Sequence, residues 1–340
     1  MAFGLPYARM GFNGHCQFLL YGADAGSYSD PDAGPKSDQL AARRSSRRSD
    51  RDPGVVYQPR VSSCDLKLSQ SVQVPKITDI RYDKNVYTIL PEKIEGNISY
   101  PIPLDSGSNG NIYDPTPELY ELALMRNYQG RLSDFKVRIK HSHSGDSFLF
   151  NDCYINFFTY RADAGGMIDV EMSVWGKGRE EKSFDSIKPG ISRAATWQDV
   201  FVNLVGEVSI SSSYFKRVEV TISNNLERIY TTTGKLTVKD LPARERTITG
   251  KLTLLGRHKE LSIYSRTNPE RCLEDQYLKF GYDAGCGKFS AEVPNIVCEI
   301  EEIAMTNDVI HTDVKWTSLP TDHDLYNLYR ADSPAGGLSI

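Results

Sequence analysis

The chain has 340 residues, 39% of them hydrophobic, and 40 lysines and arginines set against 44 aspartates and glutamates give a formal net charge of -4. That is material for one large domain or two medium ones, and it excludes an overall basic field that would hold nucleic acid by neutralising phosphates. No apolar run approaches the roughly 20 residues of a membrane-spanning helix, and no basic stretch leads into a long apolar one at the N-terminus, so a soluble chain made in the cytoplasm is expected.

His15 to Tyr21 reads as a short strand bounded by Gly14 and Gly22. From Gly22 to Gly54 the chain is rich in Asp, Gly, Ser, Pro and Arg and has too few large apolar residues to bury a core, so residues 1–57 are expected to be one strand plus a long inserted arm. Arg43, Arg44, Arg47, Arg48 and Arg51 cluster there beside Asp38, Asp50 and Asp52. Such mixed charge suits contacts with a neighbour's carboxylates better than a nucleic-acid patch.

A first unit is expected over 58–180. Cys64, Leu66 and Leu68 alternate with Ser63, Asp65, Lys67 and Ser69, the period of a half-buried strand, and Val86 to Ile102 adds a strand centred on Gly96. Thr116 as cap, Pro117 at the first helical position and Gly130 beyond the end mark a short helix. Strands follow at Phe135 to His141, Ser147 to Phe157 and Met167 to Trp175, separated by Ser-Gly-Asp and Ala-Gly-Gly turns that suit antiparallel hairpins.

Residues 181–204 read as a connector with a short helix at Trp197 to Leu204, and over 205–319 the order of signals returns. Leu241-Pro242 and the strand Ile248 to Leu255 match the earlier Leu-Pro and glycine-centred strand, with Gly250 in the place of Gly96. Asn268-Pro269-Glu270 mimics Thr116-Pro117-Glu118. Cys298 and Ile300 then match Cys153 and Ile155, and Trp316 matches Trp175. This order of landmarks predicts a mainly β chain with two tandem antiparallel β-sandwich or barrel domains, each with one short helix. Residues 320–340 read as a C-terminal arm.

The chemical motifs are weak. Gly145-Asp146-Ser147-Phe148-Leu149 has the residues that open one family of esterases, but Ser147 falls in a hairpin between two antiparallel strands and not in the exposed turn after a buried strand of an α/β sheet that such a nucleophile needs. His141 and His143 share a strand face without a third ligand nearby. The glycine-rich stretch Gly281 to Gly287 has no Walker lysine. Cys16, Cys64, Cys153, Cys272, Cys286 and Cys298 contain no CxxC pair, which argues against a zinc knuckle or thioredoxin-like site. Cys153 and Cys298, in phase with Ile155 and Ile300, should be core thiols. Cys16, Cys272 and Cys286 are the candidates for exposure and an inter-subunit disulfide. No enzyme, metal or cofactor site is expected.

In the second unit Val218, Val220, Ile222, Asn224, Asn225, Leu226 and Glu227 precede a long loop, then Pro242, Ile248, Gly250, Leu252 and Leu254. This arrangement resembles bacteriophage tail-tube proteins, and Phe148 to Trp175 is similar to the hairpin stretch of the same family, so the resemblance covers 58 to 318. The insertion at 22 to 57 and the C-terminal arm depart from it. The resemblance implies a non-enzymatic virion protein of the tail, built of two tail-tube-type repeats. It would polymerise as stacked rings, trimeric and pseudo-hexameric, into the conduit for DNA ejection. Implied partners are further copies of itself, a tape-measure protein, a tail terminator, a baseplate hub and, where one is present, a contractile sheath. The genome would pass without specific binding, and the exposed acids Glu299 and Glu301 are candidates to face it. A baseplate hub or tube-initiator ring is the related alternative. A carbohydrate-binding β-sandwich adhesin is the unrelated one.

Overall fold

The computed structural model of the chain describes residues 14–20, 55–57, 59–70, 72–73, 88–104, 114–124, 126, 131–141, 145–184, 193–206, 209–231, 237–258, 261, 276–284, 287–306 and 309–319. Arg43, Arg44, Arg47, Arg48, Arg51, His143, Cys272, Cys286, the Asn268-Pro269-Glu270 helix start, the Gly130 helix stop and the arm 320–340 lie outside the described residues.

The first half contains β1 (Gly14–Leu20), β2 (Val55–Tyr57), β3 (Ser63–Cys64), β4 (Lys67–Ser69), β5 (Val72–Gln73), β6 (Thr88–Ile89) and β7 (Lys93–Pro101). Helix α1 (Thr116–Leu124) follows, then β8 (Phe135–His141), β9 (Ser147–Asp163), β10 (Ile168–Gly176) and β11 (Gly178–Glu181). A 3-10 turn, Trp197–Asp199, leads to β12 (Val200–Val205), and another, Ser212–Tyr214, leads to β13 (Phe215–Ser223). The rest are β14 (Ile229–Tyr230), β15 (Val238–Asp240), β16 (Thr247–Leu255), β17 (Tyr277–Asp283), β18 (Lys288–Val293), β19 (Ile296–Thr306) and β20 (Val309–Ser318). The chain is therefore mainly β, with antiparallel pairing throughout the named strands.

Period-2 patterning decides which face each strand buries. Val218, Val220 and Ile222 of β13 and Ile248, Leu252 and Leu254 of β16 point inward, while Glu219, Lys251 and Thr253 point out. The Trp197 to Leu204 segment, expected to be helical, is instead the 3-10 turn followed by β12. Val200, Val202 and Val205 are β-branched and alternate with Phe201 and Leu204, and β12 pairs with β17 from Val200 opposite Tyr282 to Val205 opposite Tyr277.

One long sheet runs β3-β7-β10-β9-β13-β16-β20-β19, with β4 continuing β3 along β7. The order β3/β4, β7, β10, β9 is thus followed by β13, β16, β20, β19. Gly96 lies opposite Val174 and Gly250 opposite Trp316; Val174 in turn lies opposite Ile155 and Trp316 opposite Cys298. By register Trp316 therefore stands where Val174 does, and Cys298 where Ile155 does, one residue from the match to Trp175 and two from the match to Cys153 read from the sequence. A one-residue slip changes faces: Trp316 is buried at 1% exposure, whereas Trp175 lies half-exposed under the Arg228 guanidinium, 3.6 Å from its ring centre.

Strand β9 turns a corner. Up to Cys153 it pairs with β8 and β11, and from Tyr154 it pairs with β10, the change falling at Asp152, whose φ is 49°. In the second half β18 pairs with β17, and after Asn295, whose φ is 51°, the chain continues as β19 against β20. Both residues are of the kind that tolerates the left-handed region. The second layer consists of β2-β1-β8 in the first half and β12-β17-β18 in the second. The halves share one buried cluster. Tyr120 of α1 packs edge-on against Phe158 (5.9 Å), Phe280 (6.1 Å) and Phe289 (5.3 Å), and Tyr160 lies 5.2 Å from Phe280.

The start of α1 is capped by Asp114, whose Oδ1 accepts the Thr116 amide at 2.9 Å, and not by Thr116. Thr116 is fully buried, its hydroxyl bonded to that of Tyr100 at 3.2 Å, because the helix entry is pressed against β7.

Candidate assembly surfaces

The solvent face of the long sheet carries polar residues in rows that cross the strands. One row reads Glu299, Lys315, Lys251, Glu219, Arg161, Asp169; its neighbour reads Thr317, Thr249, Thr221, Thr159, Glu171, Ser99, Ser63. The charges are matched: Arg161 contacts Glu219 at 3.0 Å, Arg217 contacts it at 2.6 Å, and Glu301 pairs with Lys315 and, at 4.0 Å, with Lys251. The two arginines hold the Glu219 carboxyl below its usual range against the opposing effect of burial. Thr159 and Thr221 share a hydroxyl bond of 3.0 Å. Glu299 and Glu301 are both exposed on this face, as their alternation with Cys298 suggested, and the lysines beside them leave no isolated acidic patch there.

Gly96 and Gly250 lie on β7 and β16. A Cβ at Gly250 would stand 2.0 Å from the Glu219 carbonyl oxygen and 2.4 Å from the Trp316 ring; one at Gly96 would stand 2.3 Å from Leu66 Cα. In each case the absent side chain lets a neighbouring strand approach.

The Asn224-Asn225-Leu226-Glu227 motif is the corner where the second half grips the first. Asn224 is fully buried; its Nδ2 donates to the Ala123 carbonyl at the end of α1 (2.9 Å) and to the Ile155 carbonyl of β9 (3.1 Å). Asn225 has φ 47° and donates to the Glu245 carbonyl at 2.9 Å, and the Leu226 amide donates to Asn156 Oδ1 at 2.9 Å. From this corner the described residues 224–231 and 237–246 reach over the first half. Arg228 pairs with Glu95, Asp240 binds Lys177 at 3.0 Å and Arg131 at 3.3 Å, and Arg126 donates to the Arg244 carbonyl at 2.8 Å. Lysine and the Leu241 amide keep the Asp240 carboxyl low in spite of partial burial.

Cys16, expected to be exposed, is buried at 1%, because β1 is the middle strand between β2 and β8. The interaction with the Cys64 thiol, together with burial, raises the pKa of Cys16, and the same interaction lowers that of Cys64. Cys153 and Cys298 are buried. Burial pushes the Cys298 thiol up to about 12. Beside α1, the Tyr57 hydroxyl donates to Glu118 Oε1 at 2.8 Å and the Tyr282 hydroxyl donates to Asp114. Loss of solvent pushes the Asp114 carboxyl up to about 7 although Thr116 bonds pull it down, and burial likewise raises Glu118. These two acids serve the helix entry, which the sequence marked through Thr116 and Pro117.

Ser147 Oγ donates to the Gly145 carbonyl at 3.4 Å, a turn contact, and His141 ends β8 with its ring 6.1 Å from that of Phe148. Among the described residues no group of three His, Cys, Asp or Glu is placed to hold a metal ion, and no helix is long and apolar enough to cross a membrane. Large apolar side chains stand exposed at one edge of the sheet: Ile303 on β19, Val309 and Ile310 on β20, and Leu319 after it. The sequence model of the family described as phage tail tube protein matches residues 20–261, which take in the first half and the second as far as Leu261. No curated protein matches the chain.

Proposed function

Because the chain belongs to the phage tail tube protein family, whose members are structural proteins of the virion tail, we propose that it is the tube subunit itself. Copies associate edge to edge into rings, and the rings stack into the conduit through which DNA is ejected. The observation that carries this reading is the same four-strand order met twice in one sheet, joined at β9 and β13, with β3/β4 and β19 left as its two ends. Open edges invite pairing with another chain, and the chain already contains one such junction. Ile303 favours the same seam. It stands at the β19 position that corresponds to Tyr160 of β9, yet Tyr160 is fully buried and Ile303 is 40% exposed.

Read as a duplicated unit, each chain supplies two repeats, so a homotrimer supplies six and closes with pseudo-sixfold order. Rings then stack by a head-to-tail contact that propagates. Arg43, Arg44, Arg47, Arg48 and Arg51 are the candidates to reach the next ring or a surrounding sheath. The row of hydroxyls and matched charges suits the lumen, since it offers phosphate no net basic wall on which to lodge. Assembly takes place in the host cytoplasm with thiols reduced, and Cys272 and Cys286 are the thiols left as candidates for later cross-linking between subunits. Tape-measure protein, tail terminator and baseplate hub are the partners of such a tube, which needs no cofactor and performs no catalysis.

Negative-stain microscopy of the purified chain tests the proposal. Long tubes are expected. Single rings that do not stack would fit the hub or initiator instead, and a chain that stays monomeric at every concentration would overturn the reading.

A further inference from the structure

The contact that residues 224–231 and 237–246 make with the first half has an unused twin. In the second half the chain leaves β13, forms the small hairpin β14–β15 and returns as β16, and the hairpin lies on the end of β10 through Asp240 and Lys177. In the first half β5 and β6 pair with each other in the stretch between β4 and β7. Val72 lies opposite Ile89 as Ile229 lies opposite Asp240, and Leu90-Pro91 follows as Leu241-Pro242 does. Ile89 is therefore the counterpart of Asp240. The register that sets Trp316 in the place of Val174 sets Leu319 in the place of Lys177, and Leu319 is 44% exposed.

Within one chain β5–β6 cannot use this surface in the same way, since β3/β4 is one end of the long sheet and β19–β20 is the other. We propose that in the ring the paired β5 and β6 of each copy clasp the end of β20 in the next copy, bringing register position 89 of one to Leu319 of the other. This rests on the ring reading above and names the partner of the β5–β6 pair as a second copy of the same chain. It also replaces the ion pair found inside the chain by an aliphatic pair between chains. A seam held in this way gains nothing from opposite charge and loses nothing to salt.

Cysteine pairs in the full chain test the clasp. Lys177→Cys with Asp240→Cys is the control for a contact already made within the chain: on oxidation with oxidised glutathione it should close inside one copy. Ile89→Cys with Leu319→Cys should instead join copies, giving a ladder ending at a covalent trimer on a non-reducing gel, and either single variant should not. Tubes by microscopy with a closed control but no ladder, or a bridge confined to single copies, would overturn the clasp and leave the tube reading standing. No rings or tubes at all would overturn both.

A charge swap reads the same contact without thiols. Ile89→Asp alone and Leu319→Lys alone should each raise the concentration needed for assembly at least about tenfold, because each leaves a charge unpaired in a closed seam. The double variant should recover assembly and become salt-sensitive. Failure of the double variant to recover, with both single variants folded, would overturn the proposal.

Discussion

Gly250→Ala is the sharpest test of how tightly the long sheet is built. The new Cβ would lie 2.0 Å from the Glu219 carbonyl oxygen and 2.4 and 2.5 Å from two carbons of the Trp316 indole, where comfortable packing needs about 3.5 Å. The oxygen belongs to the backbone of β13, which is held on its other side by β9, so it cannot retreat without breaking the ladder through Val220. Trp316 is buried at 1% exposure, so its ring cannot swing out to solvent without opening the core. Overpacking costs about 1–3 kcal/mol, and a clash with backbone on a central strand belongs at the upper end. At about 2 °C per kcal/mol for a chain of this size, the melting temperature of the dilute subunit by circular dichroism should fall by about 6 °C. Gly96→Ala should cost less, because the backbone it meets, at Leu66, lies on the terminal β3/β4 segment, which can move. Gly178→Ala meets only the Asn151 Cβ at 4.0 Å and should melt with the parent. A Gly250→Ala chain that melts with the parent, or a Gly178→Ala chain that falls as far, would refute the reasoning.

Asn224→Ala removes two donated hydrogen bonds and leaves the Ala123 and Ile155 carbonyls buried without them, at a cost of about 2–3 kcal/mol in urea unfolding. An unchanged midpoint would show that the corner does not hold the halves together. Stability should fall as pH rises from 5 to 8. The Asp114 carboxyl sits at about 7 in the folded chain against 3.8 ordinarily, so its contribution is whole below about pH 4 and is lost as pH passes through 7. Asp114→Asn should flatten that slope, and equal slopes would assign it to other groups. Toward a maleimide, Cys64 should react first among the four described thiols, because the other three are buried while it is only partly so and its pKa is lowered, and Cys153 and Cys298 should wait for unfolding. Labelling sites read by mass spectrometry decide this.

Local pattern was legible in the sequence and register was not. The alternation in Phe215–Ser223 and Thr247–Leu255 announces strands with one wet face, and the glycines Gly96 and Gly250 mark places where strands press together. Matching Trp175 to Trp316 went astray by one residue because only cross-strand bonding, with its irregularities beside Val174 and Ile300, reveals the step. Cys16 looked peripheral because it lies close to one end of the chain, but β1 is enclosed by partners from β2 and β8, far along the sequence. Thr116 has the right residue type and place for a cap, and loses the role to Asp114 because its hydroxyl is claimed by Tyr100. The hold of Asn224 on α1 spans 101 positions, which no window of local sequence displays.

That same span bears on how the chain reaches its fold. When the first half has left the ribosome, the Ala123 and Ile155 carbonyls still await Asn224, and β9 lacks the neighbour it will find in β13. Chains whose contacts join distant residues fold slowly, since loop closure must precede the reward. The final locking of the first half is therefore timed by synthesis of the second, and an unfinished chain offers the bare β9 margin to whatever strand comes by.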